Sequence, residues 1–261
     1  MNRIFILIVL IISTINLNAQ EIKKDSIIEP FKIEERTLSG LDIPKQKLKD
    51  HPNRDYFQKR IYKGSELSIY ILSSETAVNE INSFPIDEFV FFMNGRADIQ
   101  TAENNEFSFY SGDYIFVPKG FSGNWTNNGG NKYHLELSVI SNKRADSSST
   151  QKAQEPFLLD RELISGIGLT ELTTKKFRNS LYSGVELEVL TESEEPCEKN
   201  IVNNGKEEFI HVLNGIVVIK PFNGKEQTFY KGDFFILPKG FTGSWKSEGQ
   251  NLFRTLKVIQ K

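Results

Sequence analysis

A single cysteine, Cys197, excludes an intramolecular disulfide framework, so the stability of this 261-residue chain rests on packing. Cys197 sits in the polar, acidic run 192–199 with no histidine close in sequence, and reads as incidental rather than as a nucleophile or a crosslink. A basic surplus is also missing: 32 Lys and Arg stand against 34 Asp and Glu, so no nucleic-acid partner is expected. Histidine is scarce, with three in the chain. Long apolar runs are scarce too. The run Ile4 to Ile12 falls well short of the ~20 residues that span a bilayer.

That run fits an export signal. A basic start at Met1, Asn2 and Arg3, a short apolar centre and a polar stretch ending in Ala19 predict a signal peptide over residues 1–19, with cleavage after Ala19. An uncleaved anchor is the alternative. The expectation is an exported protein, periplasmic or secreted, with no stable membrane insertion once the signal is removed. No Cys near the cut offers a lipid attachment point.

What the chain does have is a duplication. The segment Phe109–Trp125 returns as Phe229–Trp245, an offset of 229 − 109 = 120 residues, with 10 of 17 positions identical. At the same offset 61–67 matches 181–187, and 87–95 matches 207–215. Pro30 and Phe31 are answered by Pro156 and Phe157. A period this long suits a complete domain rather than a solenoid repeat. The organisation expected is an N-terminal segment and first domain over 20–143, a Ser-rich linker over 144–155 and a second domain over 156–261.

Within each copy, short runs of Val, Ile, Phe and Tyr alternate with Gly, Asn, Asp and Pro clusters, and no long stretch repeats at helical spacing. This is an all-β pattern. Asn94-Gly95 and Asn214-Gly215 mark turns after strands, and Asn223-Gly224 marks a hairpin tip. Closely spaced antiparallel strands of this kind close into sandwiches or barrels.

Each copy carries a Glu (Glu88, Glu208), a Gly seven residues on (Gly95, Gly215), then Gly-Asp, four residues and Pro-Lys-Gly (Gly112 to Gly120, Gly232 to Gly240). This resembles the two signature motifs of the cupin superfamily, a jelly-roll β-barrel, and implies two tandem cupin domains, a bicupin. Asp87-Glu88-Phe89 with Gly112 to Trp125, and Glu208-Phe209 with Gly232 to Trp245, resemble more closely the cupin domain of the ureidoglycine-aminohydrolase type. Metal-dependent cupins of this pattern resemble one another in supplying His at positions that here fall near Ile81, Ser83 and Gly123, and near Ile201, Asn203 and Gly243. Glu88 and Glu208 alone remain, so no metal and no cofactor is expected.

The three histidines do not fill that gap. His211 lies three residues from Glu208 and so points to the opposite strand face. His134 shares a face with Glu136 and Ser138, opposite the apolar set Tyr133, Leu135, Leu137 and Val139; His51 sits in a polar loop. Surface or interface roles are expected for all three. If position 123 faces inward, so do Trp125 and, in the second copy, Trp245, with Gly123 and Gly243 leaving room for each indole. Trp125 and Trp245 then read either as platforms beside Glu88 and Glu208 or as core packing.

The copies also differ. Arg254 stands where the first copy has Leu135, on the apolar face of its strand, and is expected either to point inward and pair with Glu208 or to lie at the rim. Lys119 and Lys239 occupy matching turns, either solvated or attracting an anion.

These readings name Glu88, Trp125, Glu208, Trp245 and Arg254 as ligand-binding candidates. They predict an exported bicupin that binds a small polar molecule, a sugar or an organic acid. Two alternatives stay open: a metal-independent isomerase, epimerase, lyase or ureide hydrolase with Glu88 or Glu208 as a lone general acid or base, and a structural module. The chain is expected to be a monomer or a homodimer.

Overall fold

A computed structural model describes residues 28–49, 51–130, 133–146, 155–173 and 175–261. The expected signal peptide, residues 1–19, and residues 147–154 of the expected linker lie outside them. The first copy supplies β1 (Phe31–Lys32), β2 (Tyr56–Lys63), β3 (Leu67–Ser74), β4 (Ala77–Ile81) and β5 (Glu88–Asn94). It continues with β6 (Arg96–Thr101), β7 (Glu106–Tyr110), β8 (Tyr114–Val117), β9 (Gly123–Asn128) and β10 (His134–Ser141). The second copy supplies β11 (Phe157–Leu158), β12 (Thr170–Thr173), β13 (Lys176–Ser183), β14 (Leu187–Glu194), β15 (Glu198–Ile201) and β16 (Glu208–Asn214). It ends with β17 (Ile216–Pro221), β18 (Gln227–Tyr230), β19 (Phe234–Leu237), β20 (Gly243–Glu248) and β21 (Phe253–Gln260). Helical turns at Glu35–Leu38 and Arg161–Ser165 follow the leading strand of each copy.

Each half is a jelly-roll barrel made of a large and a small antiparallel sheet. In the N-terminal half the orders are β11-β8-β5-β10-β3-β2 and β4-β9-β6-β7; in the C-terminal half they are β1-β19-β16-β21-β14-β13-β12 and β15-β20-β17-β18. The leading strands are exchanged. β1 pairs with β19, and β11 pairs with β8, so each copy completes the other copy's sheet. Lys32 Nζ then reaches Asp233 at 2.8 Å, and Arg161 reaches Asp113, which gives both Asp residues of the Gly-Asp motif a partner from the opposite copy. Each also accepts a backbone bond inside its own turn, from Tyr110 or Tyr230.

The repeated motifs hold the halves together. Asp87, 0% exposed, accepts from the backbone N–H groups of Glu186 (2.7 Å) and Leu187 (3.3 Å), and Glu186 in return accepts from Asp87 N. Glu207 mirrors it, accepting from Glu66 N (2.9 Å), Leu67 N (2.7 Å) and Tyr62 Oη (2.6 Å), while Glu66 accepts from Glu207 N. Lys119 and Lys239, expected as solvated or anion-attracting turn residues, instead cross the junction to pair with Glu186 (3.0 Å) and Glu66 (2.5 Å). A buried carboxylate must be paired, and the loop it binds belongs to the other half.

Three apolar cores follow. One fills each barrel, and the third, holding Phe89, Leu137, Val139, Phe209 and Val258, joins the two large sheets, with the Phe89 and Phe209 rings 5.9 Å apart. Leu135, Leu137 and Val139 therefore face the other half, and the more polar side of β10 faces into its own barrel. Both sides of that strand are buried, so hydrophobicity alone does not tell inside from interface.

Candidate functional site

Strand alternation delivers the polar groups to the barrel interiors. In the N-terminal barrel β5 contributes Glu88 and Val90, β10 contributes Glu136 and Ser138, β9 contributes Trp125 and Asn127, and β2 contributes Tyr56 and Gln58. The segment Gln46–Leu48 and Arg54 line one side of the cavity of about 150 Å³ that these side chains enclose. A larger hollow of about 960 Å³ is an open groove beside Glu155–Leu158 and brings together no comparable set of groups.

Ser138 Oγ donates to Glu88, and His134 Nε2 lies 2.7 Å from Glu136. Trp125 Nε1 donates to Asn127 at 2.7 Å, and Asn127 Nδ2 to Ser74 at 2.8 Å, which fixes the indole on the cavity wall. Arg54 Nη1 donates to Asn79 at 2.8 Å. No Lys or Arg among the described residues pairs with Glu88 or Glu136. Burial, reinforced by the Glu136 charge and only partly relieved by Ser138, pushes Glu88 up to about 8, so it is protonated at neutral pH.

The C-terminal barrel solves the same problem internally. Lys257 Nζ lies 2.7 Å from Glu208 and 2.8 Å from Glu192. Lys176 and Arg178 also pair with Glu192, at 3.3 and 3.2 Å, and Lys199 pairs with Glu194, which accepts from Trp245 Nε1 at 2.9 Å. Burial works against the Glu192 charge, yet Lys257 with Lys176 and Arg178 outweighs it and holds the group down to about 2. Burial likewise opposes the Lys257 charge, and Glu208 and Glu192 overcome it, raising the lysine above its ordinary range. A cavity of about 160 Å³ remains, lined by charges that already satisfy one another.

The structure thus puts Glu88 with Trp125 on one cavity and Glu208 with Trp245 on the other. Arg254 is elsewhere. It lies on the opposite face of β21, where Nε donates to Ser193 Oγ at 3.0 Å and Nη1 to the Ser165 carbonyl, so the expected Arg254–Glu208 pair gives way to Lys257–Glu208. A Cβ on Gly166 would sit 2.2 Å from Arg254 Nη2, so the guanidinium packs over the end of the helical turn; Leu135 covers Gly40 in the same way. His134 also departs from expectation: 1% exposed, it faces the barrel interior. Glu136, Ser138 and Lys257 escape a reading that takes the apolar face of β10 and β21 as inward, and Glu192 of β14 is found only through its pairing with β21. The opposite face, with its charges, was the signal.

The metal positions of the fold do not fit a metal here. A Cβ at Gly123 would stand 2.4 Å from the Gln100 carbonyl and at Gly243 2.3 Å from the Lys220 carbonyl, so neither site admits a histidine; Ile81 and Ile201 offer no donor, and Ser83 and Asn203 are exposed. Those glycines are required by a neighbouring strand, not by the indoles. Among the described residues no three His, Cys, Asp or Glu side chains converge as a ligand set.

His211, as expected, points away from Glu208. It stacks on Phe234 with ring centres 3.9 Å apart, and Nδ1 lies 3.0 Å from Tyr114 Oη across the inter-barrel core. Burial, partly offset by Asp233, pushes it down to about 4. The unfolded chain binds the proton first, so stability is lost as pH falls from about 6.5 through 4. His211→Phe, matching Phe91 of the first copy, is expected to cost about 1 kcal/mol at pH 7 through the unmade Tyr114 bond. It should also remove roughly 2–3 kcal/mol of the wild-type loss between pH 7 and 4, read by urea unfolding across that range.

Sequence and fold comparisons agree with this architecture. The EutQ-like cupin domain matches residues 65–130 and 191–250. A Pseudomonas syringae pv. tomato protein of unknown function superposes with a TM-score of 0.62 at 16% identity, covering 88% of this chain and 98% of that one. A cupin 2 conserved barrel domain protein from Leptotrichia buccalis gives 0.58 at 16% identity, covering 91% and 99%. Oxalate decarboxylase from Lactobacillus farciminis gives 0.50 at 12% identity, covering 90% and 87%. At these identities the likeness is one of fold. No curated protein matches the sequence.

Proposed function

From a chain that carries a cupin domain twice, we propose a division of labour: the N-terminal barrel binds a small polar molecule, and the C-terminal barrel, whose interior charges are already paired, is its structural partner. One observation carries this reading. Glu88 faces a cavity without a cation partner, whereas Glu208, its counterpart, is neutralised by Lys257 of its own barrel. A neutral Glu88 donates and accepts hydrogen bonds, Asn79, Gln58 and Tyr56 add polar contacts, and Trp125 offers an apolar wall, a combination that suits a sugar. An anionic organic acid is disfavoured by Glu136 and better tolerated near Arg54. The basic start, apolar run and Ala19 of the N-terminus support export as the setting, which detection of the mature chain starting at Gln20 in a periplasmic or culture fraction would test.

The binding reading is tested by thermal shift of the mature protein against sugars, organic acids and small amines. At least one compound should raise the melting temperature. Leu72→Phe, which fills the N-terminal cavity, should abolish the shift, and Lys199→Ala in the C-terminal cavity should leave it intact. A wholly negative panel, or a shift that survives Leu72→Phe, would reject the reading. A second reading, acid–base catalysis on the bound molecule, is favoured by a protonated Glu88 beside the Glu136–His134 pair, and it requires turnover that Glu88→Gln removes while binding persists.

A further inference from the structure

The internal repeat contains a natural comparison for the N-terminal cavity. Val139 pairs with Phe89 as Val258 pairs with Phe209, which makes Ser138 the counterpart of Lys257 and Glu88 that of Glu208. Glu136 pairs with Leu72 as Thr255 pairs with Glu192, so Leu72 replaces Glu192 and Glu136 replaces Thr255. One barrel therefore seats an ammonium 2.7 Å from its strand carboxylate and beside a second carboxylate, Glu192; the other keeps the strand carboxyl, carries its second one at Glu136 instead, and shortens the lysine to a serine. The cavity lined by Glu88 and Glu136 measures about 150 Å³, the volume of about five liquid waters. Trp125 and Tyr56 line the same space, and aromatic faces attract cations.

We propose that the N-terminal cavity takes a small molecule through a cationic nitrogen, an ammonium or amidinium, seated at Glu88 and Glu136 as Lys257 is seated at Glu208. The assignment rests on reading this cavity as the binding site. The cation displaces the Glu88 proton to solvent and forms the ion pair that the other barrel makes internally. The ionisable groups around Glu88 are Glu136 and His134 from β10, Tyr56 from β2, Glu80 from β4, and Arg54 and Lys47 from the preceding segment; Tyr70 of β3 lies beside Ser138 in the sheet. Glu136 and Glu80 favour a cation, and Arg54 and Lys47 favour a ligand with a neutral or anionic far end. Because Glu88 must ionise, cation affinity should fall about tenfold for each pH unit below about 8.

Three molecules of nearly equal shape test the charge: acetamidinium, acetamide and acetate, titrated calorimetrically into the mature protein at pH 6.5 and 8.5 in buffers of different ionisation enthalpy. Acetamidinium, charged at both pH values, should bind at least tenfold tighter than acetamide, tighten with pH, and release a proton. Glu88→Gln keeps the uncharged form of the group and should remove that preference and the proton release. Ser138→Lys, a tethered ammonium, should abolish acetamidinium binding and raise the melting temperature at pH 8.5. Equal or tighter binding of acetamide or acetate, or no binding of acetamidinium, overturns the cationic assignment. The broader reading then stands or falls on its own panel, because a sugar hit that Leu72→Phe abolishes would still place a site in this cavity.

Discussion

Lys257→Met is expected to destabilise the protein by about 3–5 kcal/mol at pH 7, because it leaves buried carboxylates without their shared cation. Among the described residues the lysine is the one cation held by both Glu208 and Glu192, and methionine fills similar volume without charge. Removing it leaves two buried carboxylates facing each other, with Lys176 and Arg178 still near Glu192 and nothing on Glu208. The sign of the pH dependence follows. In the wild type Glu192 is held at about 2, so its contribution is present at neutral pH and lost only as pH falls toward that value. In the variant the Glu208 charge is left buried without its cation, and protonation at low pH relieves that cost, so the variant's stability relative to the wild type drops as pH rises. Denaturant unfolding from pH 4 to 9 should therefore show the deficit growing with pH. Adding Glu192→Leu, the residue that Leu72 supplies in the N-terminal barrel, removes the second carboxylate and should return part of the loss. A deficit below about 1 kcal/mol at pH 7 would mean that water screens the network.

Asp87→Ala should cost about 3 kcal/mol or more and should uncouple the two halves. Asp87 is fully buried and binds two backbone N–H groups of the opposite loop as well as Lys119 N at 3.1 Å. Hydrogen bonds to a charged group contribute roughly 1.5–3 kcal/mol each, and the alanine variant leaves their donors buried without an acceptor. Asp87→Asn, which retains one acceptor oxygen, should lose less. The symmetry of the junction makes Glu207→Ala an independent copy of the experiment, since Glu207 binds Glu66 N, Leu67 N and Tyr62 Oη. Calorimetry should resolve the wild-type endotherm into two in either alanine variant, because the shared apolar core between the sheets is then held on one side only. A single unchanged transition in both variants would show that the aromatic contacts suffice without the clasps.

These two results concern residues of the duplicated motifs, and they change what the motifs mean. Asp87, Lys119, Asp113 and their repeats line neither barrel cavity. They bind the other half of the chain. Two jelly-roll domains that exchange their leading strands need the same contacts twice, which accounts for identity at Gly-Asp and Pro-Lys-Gly without a ligand.

Local pattern determined the duplication, the all-β class, the shared face of Gly123 with Trp125 and of Gly243 with Trp245, and the opposite faces of Glu208 and His211, because alternation along a strand and the spacing of turn residues are local properties; the barrel type came from the resemblance of the repeated motifs. Which face is inward on a strand buried on both sides was decided only when the two large sheets packed together. That contact turned Leu135, Leu137 and Val139 toward the partner half and sent Glu136 and Ser138 into the cavity. It also carried Arg254 to the helical turn and brought Lys257 to Glu208. A one-residue alternation fixes that neighbours point opposite ways, but not which way is in; the second barrel, lying against the sheet, settled it.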